Sequence, residues 1–193
     1  MNQRLIVSGI LLFALTGITA VAACWKPVVE PDALVFVSSQ AGAPLRGTFH
    51  KFDAEICLDP EHPDQPGRIE VTVDTASVDT RLPELDAALK GPDFLDSSRW
   101  PRATFISDSI EPLGQNRYKV RGKFTLRDVT RTMEVPFDFK PAVDGAAPRL
   151  EGSTTIKRLD YHVGQGEWSD TRWVGDEVEL RFSVKLLDSD IGT

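Results

Sequence analysis

The sequence predicts an all-β fold: a closed antiparallel barrel of eight strands, with one short helix between the third and fourth. Three observations carry that expectation. Apolar and polar residues alternate with period two in eight separate runs, ladder-breaking turn residues divide the runs, and one stretch alone has helical spacing. The 193 residues are 41% hydrophobic and 26% charged, enough apolar material for the core of one domain. A formal charge of −7 excludes the basic stripe that nucleic-acid binding requires.

The chain opens on a segment to be set aside before the fold is read. Arg4 supplies a positive start, residues 5–19 are an almost unbroken apolar run, and Ala20-Val21-Ala22 has the small-x-small form of a cleavage site. Residues 1–22 therefore read as a signal peptide, with an uncleaved membrane anchor as the alternative. The domain would then be 23–193 and the expected location the periplasm. Cleavage leaves 21 basic against 29 acidic residues, a net charge of −8. Val21-Ala22-Ala23-Cys24 also fits a lipoprotein box, in which Cys24 would carry a lipid anchor. Against this, Trp25 and Val28-Val29 follow where a polar tether belongs, and Cys57 would be left alone in an oxidising compartment. Pairing Cys24 with Cys57 closes the count, and the loop between them gains roughly 3–4 kcal/mol from reduced unfolded-state entropy.

The strands follow in order. Leu34, Phe36 and Ser38 alternate with Val35 and Val37. A second run extends from Gly47 through Phe49 and Phe52 to Ile56 and Leu58, and a third sets Ile69, Val71 and Val73 against Glu70, Thr72 and Asp74. After the helical segment 83–90 comes the fourth, 104–110. Pro83 stands in the helix's first turn, Leu85 and Leu89 lie four apart, and Gly91-Pro92 stops it. Tyr118, Val120, Gly122 and Phe124 make the fifth run, Met133, Val135, Phe137 and Phe139 the sixth, and 150–156 the seventh. Val178, Leu180, Phe182, Val184 and Leu186 complete the eighth. Such half-dry strands also suit a sandwich or a jelly roll. Modest neighbour-to-neighbour connections favour the barrel, which leaves no exposed edge.

Several stretches together resemble the YceI-like family of lipid- or polyisoprenoid-binding proteins. They are Val73-Asp74-Thr75-Ala76-Ser77-Val78-Asp79-Thr80, Leu85-Asp86-Ala87-Ala88-Leu89-Lys90, Asp93-Phe94-Leu95-Asp96, Trp100-Pro101-Arg102-Ala103-Thr104-Phe105, Val120-Arg121-Gly122-Lys123-Phe124-Thr125-Leu126, and Lys157-Arg158-Leu159-Asp160-Tyr161-His162-Val163-Gly164. Gly164-Gln165-Gly166-Glu167-Trp168 stands where other members carry a shorter loop, a feature of an exported subgroup. The resemblance implies a lipocalin-like barrel whose apolar interior holds a long isoprenoid, a quinone or a polyprenol, and a cytochrome b561-type membrane protein as a partner.

An eight-stranded barrel is just wide enough to be filled by side chains or to hold one small ligand. The dry faces mix aromatics with Ser38, Ser107, Gly122, Gly152 and Thr154, a composition that leaves space. Candidate lining residues are Phe36, Phe49, Phe105, Tyr118, Phe124, Phe137, Phe139 and Phe182. The Tyr118 hydroxyl is the one placed to meet a polar head group. Each five-carbon prenyl unit moved from water to a dry cavity is worth roughly 3–4 kcal/mol gross, and four units exceed the roughly 8 kcal/mol of micromolar binding. The alternative is a barrel packed solid that acts structurally through its acidic surface.

No catalytic residues, metal or cofactor are expected. The sequence lacks a Gly-x-Ser-x-Gly elbow, a His-Glu-x-x-His helix and a phosphate-binding glycine loop. His50, His62 and His162 have no ligand spacing. Asp74, Asp79 and Asp86 read as wet-face, turn and solvent-facing helix positions, and Arg158 with Asp160 as a structural ion pair.

Overall fold

The computed structural model describes residues 24–188. The expected leader and its cleavage site lie outside the described residues. Eleven strands form the sheet: β1 (Cys24–Val28), β2 (Leu34–Gln40), β3 (Ala43–Phe49), β4 (Phe52–Cys57), β5 (Arg68–Asp74), β6 (Val78–Asp79), β7 (Arg102–Gly114), β8 (Arg117–Leu126), β9 (Val129–Lys140), β10 (Arg149–Lys157) and β11 (Glu177–Asp188). Helix α1 (Pro83–Lys90) separates β6 from β7. Every pairing is antiparallel, and β1 meets β11 to close the ring.

The eleven strands make eight staves, because three staves are broken. β1 and β2 are successive halves of one stave: β11 pairs with β1 through Leu186 and with β2 through Leu180. β3 and β4 form the next, where the sequence showed a single run from Gly47 to Leu58. That run breaks at His50–Lys51 because its neighbour breaks too. A single 3-10 turn, Thr75–Ser77, sits between β5 and β6. The Asp74 carboxylate accepts from the Ala76 N–H at 2.9 Å to start that turn, so Asp74 is a cap rather than a wet-face residue. The Ser77 hydroxyl donates to the Asp74 carbonyl at 2.6 Å and accepts from the Lys51 N–H at 3.1 Å. Buried Thr75 donates to the Trp100 carbonyl at 2.8 Å. Three side chains thereby satisfy backbone groups that the interrupted ladder leaves over.

β1 carried no alternation signal and is placed by long-range pairing. Cys24 lies opposite Cys57, and the two are joined by a disulfide. The acylated alternative for Cys24 does not describe this chain, whose sulfur is already bonded.

The hairpins and the helix follow local chemistry. Gln115 and Asn116 both have positive φ, the geometry whose twist matches flanking strands. α1 starts on Pro83, and the Gly91 N–H closes its last turn on Ala88. Asp86, expected to face solvent, instead accepts from the Thr80 N–H and hydroxyl at 2.7 and 2.6 Å, pinning the helix to β6.

Two buried apolar clusters divide the interior. One, around Leu58, Tyr118, Phe139 and Leu186, fills the end that carries the disulfide. The other, around Phe36, Val78, Phe94, Ile156 and Val174, lies towards the end that carries α1 and the long β10–β11 connection.

Candidate functional site: a dry cavity inside the barrel

A cavity of about 300 Å³ lies between and within these clusters, at the lower end of the usual range for ligand pockets. Its wall is built from the inward positions of the staves, such as Leu34 and Phe36 on β2, Val71 and Val73 on β5, and Val178 to Val184 on β11. The barrel is therefore not packed solid. Towards the α1 end the wall passes Ser38, Gln40 and Leu45, then the apolar face of the helix, Leu85, Ala88 and Leu89. No residue of α1 is fully buried, but Leu89 packs against the second cluster, so this short helix rests on the cavity end.

Phe36, Phe49, Phe105, Phe124, Phe137 and Phe182 lie on the cavity wall. Tyr118 and Phe139 do not, which corrects their assignment as lining. Tyr118, 2% exposed, stacks on Phe137 with ring centroids 5.2 Å apart, and Phe139 packs 5.5 Å from Trp25. Both face inward, but at the depth where the disulfide end is filled. Burial, and then the nearby Asp59 carboxylate, push the Tyr118 phenol above its ordinary pKa. Its hydroxyl therefore belongs to the plugged end and has no place beside a head group in the cavity. Period-two alternation assigns a face; it carries no information about height along the axis.

The residue missed by sequence reasoning is Arg158. Among the described residues that line the cavity it alone is charged, and it is 3% exposed. Its partner is not Asp160, which lies 3.5 Å from Arg131 instead. Arg158 Nε donates to the Gly175 carbonyl at 2.9 Å, Nη1 to Val163 and Gly164 at 2.8 Å each, and Nη2 to Trp168 and Val174 at 2.7 Å each. All five guanidinium N–H groups are thus spent on backbone carbonyls. Burial lowers its pKa from the ordinary value, against a smaller opposing pull from the Asp176 carboxylate. One side chain thereby ties together the connection from β10 to β11. The Gly164 backbone is left-handed at φ 72°, and a Cβ there would collide with the Arg158 Nη1. Nothing in the sequence distinguishes this arginine from a surface ion-pair partner, since carbonyl acceptors have no residue signature. Its nearest sequence clue is the glycine-rich run that follows it.

The other polar candidates stay apart. His62 meets Asp59 at 2.9 Å, and His162 meets Asp128 at 3.2 Å, on exposed surface at opposite ends. His50 lies in a second pocket with Arg46, Arg81 and Phe49. Asp79 accepts from the Arg81 N–H at 2.7 Å, as a turn residue does. Among the described residues no three His, Cys, Asp or Glu side chains come together as metal ligands do.

The wall is suited to exchanging the water around an apolar chain for apolar surface. It offers no free charge to a ligand, because its single cation is fully engaged.

Comparison with known proteins agrees with this geometry. The YceI-like domain model matches residues 28–186. A UPF0312 protein of Ectopseudomonas mendocina is 32% identical over 145 residues, covering 73% of each chain, and Protein YceI of Escherichia coli O157:H7 is 31% identical over the same share. The crystal structure of BcnA from Burkholderia cenocepacia superposes with a TM-score of 0.74 at 35% identity, over 84% of this chain and 96% of that one. A polyisoprenoid binding domain from Saccharophagus degradans, implicated in plant cell wall breakdown, shares the fold at 13% identity with a TM-score of 0.63, over 88% of this chain and 99% of that one. With a matching domain that spans nearly every described strand, and relatives above 30% identity, the chain belongs to the YceI-like family.

Proposed function

We propose that this protein is a non-catalytic periplasmic carrier or scavenger of a long-chain isoprenoid lipid, a quinone or a polyprenol, held with its tail inside the barrel. The observation that carries this reading is the apolar cavity whose one charged wall residue has every N–H already donated. An anionic ligand buried there would lose its hydration without gaining a partner, whereas an isoprenoid tail needs none. Phe36, Phe49, Phe105, Phe124, Phe137 and Phe182 are the proposed contacts for the tail. The polyisoprenoid-binding relative of the same fold supports the ligand class. The disulfide supports an oxidising compartment, and the signal-like segment 1–22 supports export to it. A cytochrome b561-type membrane protein is the proposed recipient, on the strength of the family resemblance.

The test is to purify the mature protein from its native host without detergent, extract it with organic solvent and weigh the extract by mass spectrometry. A prenyl quinone or polyprenol at near-stoichiometric yield is the expected result. An empty extract, with unchanged tryptophan fluorescence on adding ubiquinone or polyprenol, would overturn it in favour of a structural barrel acting through its surface.

A further inference from the structure

Three inward-facing glycines sit where phenylalanine rings cross the barrel wall. Gly47 on β3 lies opposite Phe36 on β2, and Gly152 on β10 lies opposite Phe182 on β11. Gly122 on β8 lies under the ring of Phe105 from β7. A Cβ built on Gly47 would stand 2.5 Å from Phe36 Cζ, one on Gly152 2.5 Å from Phe182 Cζ, and one on Gly122 2.7 Å from Phe105 Cζ. Carbon atoms in contact sit at about 3.5–4.0 Å, so each ring occupies the space that any other residue would fill with its side chain. All three phenylalanines line the cavity. Their rings therefore lie against the backbone of the neighbouring strand.

Resting on the carriage reading, we propose that these glycine–phenylalanine pairs set the bore of the barrel and hence the length of chain it accepts, with Gly47 as the adjustable position. Gly122 and Gly152 face backbone as well: a Cβ would strike the Ile106 carbonyl at the first and lie 2.5 Å from the Pro136 carbonyl at the second. Substitution there moves strands. At Gly47 the three nearest atoms all belong to side chains, two on Phe36 and one on Thr80. An added methyl therefore moves a ring, not the ladder. Phe49 packs 5.7 Å from Phe36 within the barrel wall, so the displaced ring turns into the lumen.

The experiment measures binding of geraniol, farnesol and geranylgeraniol to the full mature protein by tryptophan fluorescence. Wild type should bind more tightly as the chain lengthens. Gly47→Ala should match it on geraniol and fall about tenfold or more on geranylgeraniol, and adding Phe36→Leu should restore the longer alcohol. A Gly47→Ala profile equal to wild type across the series overturns the inference. Should wild type take up none of the three, the carriage reading fails, and a crystal structure of Gly47→Ala decides the inference alone: a Phe36 ring in the lumen supports it, and one still against β3 overturns it. If Gly47→Ala does not fold, the double variant with Phe36→Leu decides: a folded double variant shows that the ring is what the methyl strikes and supports the inference, and one that also fails to fold places the clash in the ladder and overturns it.

Discussion

The two ends of the barrel share the same staves but are held by different physics. At the disulfide end large side chains fill the interior: Leu186 has no exposed surface, Leu58 almost none, Tyr118 stacks on Phe137, and Phe139 packs at a tilt on Trp25. At the α1 end the second buried cluster borders the cavity, and the chain above it is long. The segments 80–101 and 158–176 are held there by polar side chains on backbone groups: Arg158 on five carbonyls, Asp86 on Thr80, Thr75 on Trp100, and Arg127 on the carbonyls of Phe94 and His162 at 2.6 and 2.7 Å. Apolar packing closes one end permanently. At the other end directional bonds hold the covering loops in shape above the dry cavity.

If that contrast is right, the largest single loss should come from Arg158. Replacing it by Met keeps much of the bulk but leaves five carbonyls, three of them at buried bonds, without donors, a change of about 3–5 kcal/mol by analogy with breaking a buried charged network. Arg158→Lys should recover only part of this, because an ammonium has three donors in place of a five-donor fork. Urea midpoints at constant slope read both variants. A loss under about 1 kcal/mol for Arg158→Met would show that the loop is held by its packing instead.

Next in size is the disulfide. Opening it with the Cys24→Ser, Cys57→Ser pair releases a loop of sequence separation 33, which costs roughly 3–4 kcal/mol in the chain-entropy model. Because the bond ties β1 to β4 at the filled end, tail binding in the surviving folded fraction should be unchanged. A parallel loss of lipid binding would mean that the two ends are coupled.

A matched pair of leucines sharpens the comparison further. Leu186→Ala, at the fully buried position, should cost about 3 kcal/mol in stability by opening a void in close packing. Leu89→Ala, half-buried where α1 packs on the second cluster, should cost less, about 1–2 kcal/mol. Binding should show the reverse order, with Leu89→Ala the more harmful of the two. Equal ranking in both assays would erase the distinction between a structural end and a binding end.

Legibility in the sequence divided along the same line. Eight staves could be read because each needs one dry face, and that requirement writes itself as period two from Leu34 to Leu186. Small residues on the dry faces, Gly122 and Gly152 among them, already signalled spare volume. What escaped was whatever depends on height or on backbone acceptors. Tyr118 and Phe139 share a face with Phe124 and Phe137, and only the closed sheet shows them lying below the cavity. β1 has no pattern of its own and gains its place from Cys57 and from β11. Arg158 resembled any arginine beside an aspartate, because its true partners are carbonyls that every residue possesses.

The smallest expected effect is electrostatic and falls in the polar-held region. Arg172 donates to the Asp170 carboxylate from Nε at 3.0 Å, and this side-chain bond, with the Arg172 backbone N–H adding to it, lowers the Asp170 pKa to about 2. The folded-state value is thus below the unfolded 3.8, so the pair stabilises the fold above that value and its contribution is lost as pH falls towards 2. The pair is exposed, so the effect is a surface one, screened by salt. Melting temperatures of wild type and Asp170→Asn should therefore differ slightly at pH 6 in low salt and converge near pH 2. A difference that persists unchanged at pH 2 would assign Asp170's role to its neutral hydrogen bonds, chiefly its bond from the Arg172 N–H at 3.0 Å, which orders the turn that carries Val174 to the cavity wall.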